Sequence, residues 1–396
     1  MSGYIVDKGF YSSFARTQLY RMKPIQMVDL KSQYQKIKNE IDTAVIDVFE
    51  SAAFINGQPV QQFAKALSEY LDINHVVPCA NGTDALQIAM MALGLQPGDE
   101  VITPSFTYIA TTEVVALLRL KPVFAEVNKK TFCIDADSIR SLITAKTKAI
   151  VPVHLYGQSA DMEAIMQIAE EYNLFVIEDN AQAIGCDYTF SNGIKKKSGT
   201  TGTIGTTSFF PSKNLGAYGD GGAIFTNDDR VAEKLKMIAN HGQSKRYYHD
   251  MVGCNSRLDT VQAAILNIKL RELDNYIAAR RKVADYYDHA FANNKKITAP
   301  YRDEKSNHVF HQYTLILEGT DRDGLNQYLA SKNIPSMIYY PVPGHRQKMF
   351  DAFDGKNDDL EVTDWLTERV ISLPVHTELD EEQLRYITSS VLEYVQ

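Results

Sequence analysis

From Glu100 onward, short apolar runs alternate with amphipathic stretches, and this alternation narrows the possible folds more than any other feature of the chain. The runs are Glu100-Val-Ile-Thr103, Pro122-Val-Phe-Ala125, Ala149-Ile-Val-Pro-Val153, Phe175-Val-Ile177, Thr206-Thr-Ser-Phe-Phe210 and Ala223-Ile-Phe-Thr226. Helical spacing separates several of them, over Ala136 to Ala145 and Met162 to Tyr172. Strands joined through helices pair in parallel and need cover on both faces, so the expected class is α/β: a mainly parallel sheet sandwiched by helices.

The flanks read differently. Val28 to Ser51 and Val60 to Leu71 have helical periodicity, split by a turn at Asn56-Gly-Gln-Pro59, and a further helix is expected over Ala85 to Leu95. Beyond Thr260 a long helical run reaches Asn293. A strand (Gln312 to Leu317), a helix (Asp323 to Lys332), a strand (Ser336 to Tyr340) and a last helix (Glu381 to Val395) follow, as in a smaller C-terminal α+β domain. At 396 residues the chain exceeds what one core supports. The expected division is an N-terminal arm at 1–26, a large domain at 27–259 and a small domain at 260–396.

The formal net charge of -8 gives no footing for nucleic-acid binding. The four cysteines form no C-x-x-C pair, which argues against a zinc site or a disulfide framework and suits a reducing cytoplasm. The histidines show no metal spacing, so no metal is expected. No apolar run approaches the roughly twenty residues of a membrane span, and the arm lacks the apolar stretch of a secretory signal.

Candidate chemistry centres on Lys213, in Ser208-Phe-Phe-Pro-Ser-Lys-Asn-Leu-Gly-Ala-Tyr-Gly-Asp-Gly-Gly222. A lysine among small and hydroxylated residues can hold an amine for Schiff-base chemistry; a lysine after a surface turn looks the same in isolation. Leu174-Phe-Val-Ile-Glu-Asp179 reads as a buried strand ending in a carboxylate, where α/β sheets place ligand contacts. Together Asp179 and Lys213 could serve the pyridine nitrogen and the aldehyde of pyridoxal phosphate (PLP). Gln182 is expected beside Asp179 on a helical face. Asn81-Gly82-Thr83 opens a helix and reads as an anion site or a plain N-cap. Phe106 and Tyr108, at a strand end, could stack on a flat ring or fill core. Arg246, Arg257 and Asn255 lie in a polar, glycine-containing stretch suited to carboxylates or phosphates.

In order along the chain, these segments resemble the DegT-type nucleotide-sugar aminotransferases, PLP enzymes of fold type I. The resemblance runs from about Val28 to the C-terminus. It rests on Asn81-Gly-Thr-Asp-Ala-Leu86, Asp99-Glu-Val-Ile-Thr-Pro104, Val153-His-Leu-Tyr-Gly-Gln158, Ile177-Glu-Asp179, Ser212-Lys213, Gly219-Asp-Gly-Gly222, Asn255-Ser-Arg-Leu-Asp259 and Tyr340-Pro-Val-Pro343. It implies that Lys213 forms the Schiff base, that Asp179 pairs with the ring nitrogen and that Gln182 meets the phenolic oxygen. Gly82, Thr83 and Ser208 would bind the phosphate, and Tyr108 would stack on the ring. Asn255 would reach the phosphate from a second subunit, making a homodimer with shared sites. The sequence is most similar to the WbpE-like subgroup, which uses L-glutamate to aminate C3 of a UDP-linked 3-oxo-N-acetylhexuronate for bacterial surface polysaccharide, with pyridoxamine phosphate as the intermediate cofactor form. Lys245, Arg246, Arg257, Tyr339, Tyr340 and His345 are the candidate contacts to that sugar nucleotide. Amination of another keto-sugar at C3 or C4 remains the alternative. A sugar dehydratase on this fold typically has histidine in place of Lys213, and a regulator need keep none of these groups. Two departures from the family pattern stand out: Asn180 where alanine is common, and Gly344-His-Arg-Gln347 in the segment expected to meet the sugar.

Overall fold

The computed structural model describes residues 22–353 and 359–396. Most of the expected N-terminal arm, 1–21, lies outside the described residues.

The large domain opens with α1 (Leu30–Ser51) and α2 (Gln58–Leu71), whose apolar faces follow the spacing read from sequence. Strand β1 (His75–Cys79) then leads into α3 (Gly82–Ala92). The βα units follow: β2 (Glu100–Pro104) with α4 (Ala110–Leu117), β3 (Lys121–Ala125) with α5 (Ala136–Leu142), β4 (Thr147–Ile150) with α6 (Met162–Tyr172), and β5 (Phe175–Asp179). A hairpin of β6 (Asp187–Thr189) and β7 (Lys195–Lys197) precedes β8 (Ile204–Ser208), β9 (Gly222–Thr226) and α7 (Asp229–Ala239).

The central sheet has seven strands in the order β1-β9-β8-β5-β4-β2-β3. Pairing from β8 through β3 is parallel, and β9 alone runs against its neighbours β8 and β1. Alternation along the strands splits the core between two faces. Val101, Ala149, Ile177, Ile204 and Ile224 pack toward α3, α4 and α7, while Ile102, Ile150 and Val176 face α5 and α6. This is the fold type I arrangement expected from the sequence.

After a second hairpin, β10 (Gln243–Lys245) with β11 (Tyr248–His249), the chain enters α8 (Thr260–Arg271) and α9 (Leu273–Phe291). The single helical run expected there is therefore two helices meeting at Glu272. Ala263, Leu266 and Leu270 of α8 pack with Phe63 and Leu67 of α2. Leu273 and Ile277 of α9 join the same cluster.

The small domain has an antiparallel sheet of β12 (Ile297–Thr298), β13 (Tyr313–Leu317) and β14 (Val370–Leu373), covered by α9, α10 (Arg322–Ser331) and α12 (Glu381–Val395). A short helix α11 (Glu361–Thr367) precedes β14. The strand expected at Ser336–Tyr340 does not form. Met337 makes only an isolated bridge to Ser372, and β14 takes the place beside β13. Residues 22–26 lie against this domain: Ile25 is buried in its core, and Gln383 Nε2 donates to the Lys23 carbonyl at 3.2 Å. Among the described residues, no helix is long and apolar enough to cross a membrane.

Candidate active site

Three segments meet where β1, β5 and β8 end. Asn81 caps α3 by accepting from the Asp84 N–H at 2.8 Å, leaving the first-turn amides of Gly82 and Thr83 without helical acceptors. Ser256 holds this turn: its Oγ accepts from the Ala80 N–H at 3.0 Å and donates to Asp84 at 2.6 Å. Ser208, the last residue of β8, lies so close that a Cβ on Gly82 would meet the Ser208 Cβ at 2.7 Å. The outcome is a glycine-floored cradle at a helix N-terminus, with a hydroxyl beside it, suited to a phosphate.

Asp179 ends β5 and is 5% exposed. Its Oδ2 accepts from Thr111 Oγ1 at 2.7 Å and its Oδ1 from the Ala181 N–H at 3.1 Å, so the carboxylate is held in one orientation. The preceding Glu178 points the other way and is fully buried. His154 Nδ1 accepts from the Ala160 N–H, so Nε2 carries the proton and donates to Glu178 at 2.8 Å. Desolvation would raise the Glu178 pKa, but His154 and the backbone amides of Gly202 and Gly199 outweigh it and hold the carboxyl below its usual range.

Gln182 lies in a turn rather than on a helix. Its Oε1 accepts from the Tyr156 N–H at 2.9 Å, and its Nε2 donates to the Tyr340 hydroxyl at 3.0 Å. Lys213 follows β8 in a tight turn closed by its N–H on the Phe210 carbonyl at 2.8 Å. Gly216 makes the turn possible, because a Cβ there would come within 2.3 Å of the Pro211 carbonyl oxygen. Burial pulls the Lys213 pKa down to about 8, and the smaller influence of the Asp179 charge acts in the opposite direction.

These groups line one cavity of about 610 Å³. Gly82, Thr83, Asp179, Gln182, Ser208 and Lys213 all reach it, and so do Tyr108, Tyr339 and Tyr340. Tyr108 is 55% exposed, with its ring centroid 6.3 Å from that of Tyr340; Phe106, by contrast, is core. Other expected residues stay outside the cavity. His345 is fully buried, 2.7 Å from Ser105 Oγ and 3.2 Å from Asp364, because the turn at Gly344 aims it inward. Lys245 and Arg246 lie exposed on the β10–β11 hairpin over the rings of Tyr248 and Tyr247, Asn255 is exposed, and Arg257 is partly buried. Among the residues lining the cavity, Lys213 is the one Lys or Arg.

Residues 35–392 match the DegT/DnrJ/EryC1/StrS aminotransferases. The chain belongs to that family. It is 44% identical to a pleiotropic regulatory protein of Geobacillus stearothermophilus, over 93% of this chain and 98% of the relative. It is 43% identical to the UDP-2-acetamido-2-deoxy-3-oxo-D-glucuronate aminotransferase of Pseudomonas aeruginosa, over 93% and 99%. Identity to the UDP-N-acetyl-3-dehydro-alpha-D-glucosamine 3-aminotransferase of Acidithiobacillus ferrooxidans is 42%, over 93% and 97%. Among solved structures, NtdA of Bacillus subtilis with bound pyridoxamine phosphate superposes with a TM-score of 0.87 at 31% identity, covering 95% of this chain and 86% of that one. The chain is a sugar aminotransferase, and its cofactor is PLP.

The cavity fits that cofactor. Gly82 leaves the helix start open, Asp179 offers a fixed anion, and Lys213 has a desolvated amine. His311 lines the same cavity with a buried Nδ1 that no protein group satisfies, a place for a ligand atom or a water. Burial, then the charges of Lys213 and Arg280, keep His311 neutral by holding its pKa well below the usual value. Considered from sequence only as a metal ligand, His311 carried no local signal of this place; nor did Thr111.

Gly82→Ala tests the cradle. The new Cβ must displace Ser208 and is expected to raise the PLP dissociation constant about tenfold or more, with unchanged circular dichroism. Wild-type affinity in an equilibrium titration would show that the phosphate lies elsewhere.

Proposed function

We propose that the protein transfers the amino group of L-glutamate to C3 of a UDP-linked 3-oxo-N-acetylhexuronate, in the cytoplasm, for a bacterial surface polysaccharide. The observation that carries the reading is the joint placement of the Lys213 amine, the Asp179 carboxylate and the α3 N-terminus around one cavity. The names of the relatives in Pseudomonas aeruginosa and Acidithiobacillus ferrooxidans favour a UDP-3-oxo-sugar.

When bound, PLP supplies an electron sink for the carbon that loses its proton. The chain supplies the rest. Lys213 would anchor the cofactor, and its free amine would be the group placed to hold and move a proton, since a desolvated amine is uncharged at mildly alkaline pH. Asp179 would pair with the protonated ring nitrogen. The amides of Gly82 and Thr83, with Ser208, would hold the phosphate, and Tyr108 and Gln182 would hold the ring. Tyr339 and Tyr340 wall the side where a sugar enters.

A glutamate carboxylate, a uronate and a pyrophosphate all need cations that this chain's own cavity lining does not offer beyond Lys213. A second copy is proposed to bring Asn255 and Arg257, while Lys245 and Arg246 reach the sugar nucleotide from the hairpin. Ile46, Phe49, Phe54 and Ile55, each roughly half exposed, form an apolar patch next to that segment, since Ile55 bridges to Asp259. Such a patch suits an obligate dimer.

The test is the visible spectrum of PLP-loaded protein with L-glutamate, followed by NMR of the product from the UDP-3-oxo-sugar. Loss of the band with release of 2-oxoglutarate and nitrogen at C3 supports the proposal; nitrogen at C4 transfers it to the alternative substrates. A pH expectation follows from Lys213. Capture of PLP by cofactor-free protein should accelerate as pH rises and level off near 8, where the amine loses its charge. A rate still climbing through about pH 10 would mean an ordinary, solvated lysine.

A further inference from the structure

We infer that Thr111 is a positioning residue that sets how strongly Asp179 acts on the cofactor ring; the inference rests on the role proposed for Asp179. Thr111 stands in the first turn of α4, is fully buried, and is not among the residues lining the active-site cavity. A threonine in such a place normally turns its hydroxyl back on a nearby carbonyl of its own helix, as the next residue does: Thr112 Oγ1 donates to the Ile109 carbonyl at 3.0 Å. Thr111 instead donates across the domain to Asp179 Oδ2 at 2.7 Å.

The hydroxyl is in turn approached by another. Thr107 Oγ1 lies 3.5 Å away, and because the Thr111 proton is committed to Asp179, Thr107 is the donor between them. Thr107 lines the cavity. A line of two hydroxyls therefore runs from the cavity wall to the carboxylate expected to hold the ring nitrogen. The Thr111 hydroxyl and the Ala181 amide each take up part of the carboxylate's negative charge and so compete with any other proton it faces. Lys213 and Tyr340 are titratable neighbours whose charges interact with Asp179, and neither donates a hydrogen bond to it.

Removing the hydroxyl has a signed consequence. The Asp179 oxygen released from Thr111 then concentrates its charge on the ring proton and draws it closer. The ring is then less positive, so the Lys213–cofactor linkage keeps its own proton to higher pH, and glutamate is converted more slowly.

The experiment compares PLP-loaded wild type, Thr111→Val and Thr111→Ser. In Thr111→Val, the pH midpoint of the visible band should rise by about half a unit or more and the glutamate half-reaction should slow about tenfold. Thr111→Ser, which retains the hydroxyl, should restore both. A combined Thr111→Val and Asp179→Asn protein should show no further midpoint shift beyond Asp179→Asn alone. If Thr111→Val does not accumulate as folded protein, Thr111→Ala reads the same midpoint. A variant without the hydroxyl that keeps the wild-type midpoint, or a serine variant displaced as far as valine, overturns the role of Thr111. Failure of wild type to form the band would instead remove the reading of Asp179 and Lys213 themselves.

Discussion

Lys213→Ala is expected to fold normally and lose glutamate-dependent turnover by at least about 10⁴-fold, since the proposed function gives this one residue both the covalent anchor and the proton carrier. Folding should survive because the side chain holds nothing together. The turn is closed by backbone and by Asn214, whose Nδ2 donates to the Val309 carbonyl at 2.9 Å. The lysine faces a cavity, and its lowered pKa marks a charge that the fold disfavours. Circular dichroism and thermal melting should match wild type while 2-oxoglutarate release vanishes. Persistent release would mean that another group carries the chemistry.

Asp179→Asn should still take up PLP, through Lys213 and the α3 cradle, but turn over roughly 10²–10³-fold more slowly. An amide keeps the shape and can still accept from Thr111 or Ala181, so the loss isolates charge from position. A second effect has a definite sign. The Asp179 charge raises the Lys213 pKa. Without it the amine should lose its proton below about pH 8, and the plateau for PLP capture should move to lower pH. Unchanged turnover together with an unmoved plateau would show that Asp179 faces neither the ring nor the amine.

The sheet was legible because buried parallel strands are continuous apolar runs, and β2 through β5 appear close to where they were read. The direction of β9 was not legible. Ala223-Ile-Phe-Thr226 looks like its neighbours, and only the turn that carries Lys213, in place of a helical crossover, reverses it. Helix α4 escaped because Ala110, Thr111, Val114 and Val115 are all buried, which erases the one-sided pattern that marks a surface helix. Tyr339 and Tyr340 were read as part of a strand, but they form none and line the cavity wall instead. His345 shows the limit most clearly. Being a few residues from a wall residue says nothing about which way a side chain turns, and this one turns to Ser105. Lys213 and Asp179 could be named as candidates because each stands in a contiguous motif, and both reach the cavity; Thr111 and His311 stand out only through what the fold brings next to them.

The cavity collects residues from Asn81 to Tyr340, so neither end of the chain owns it. A cofactor seated there, as proposed, would draw on the large domain and the 339–340 segment together. By mass action, free PLP then favours only the complete fold, by RT ln(1 + [L]/Kd), or about 2.7 kcal/mol at a hundredfold excess over Kd. Vitamin supply would act on this protein as a folding partner, and how much intact chain survives proteolysis would track how much cofactor the cell holds.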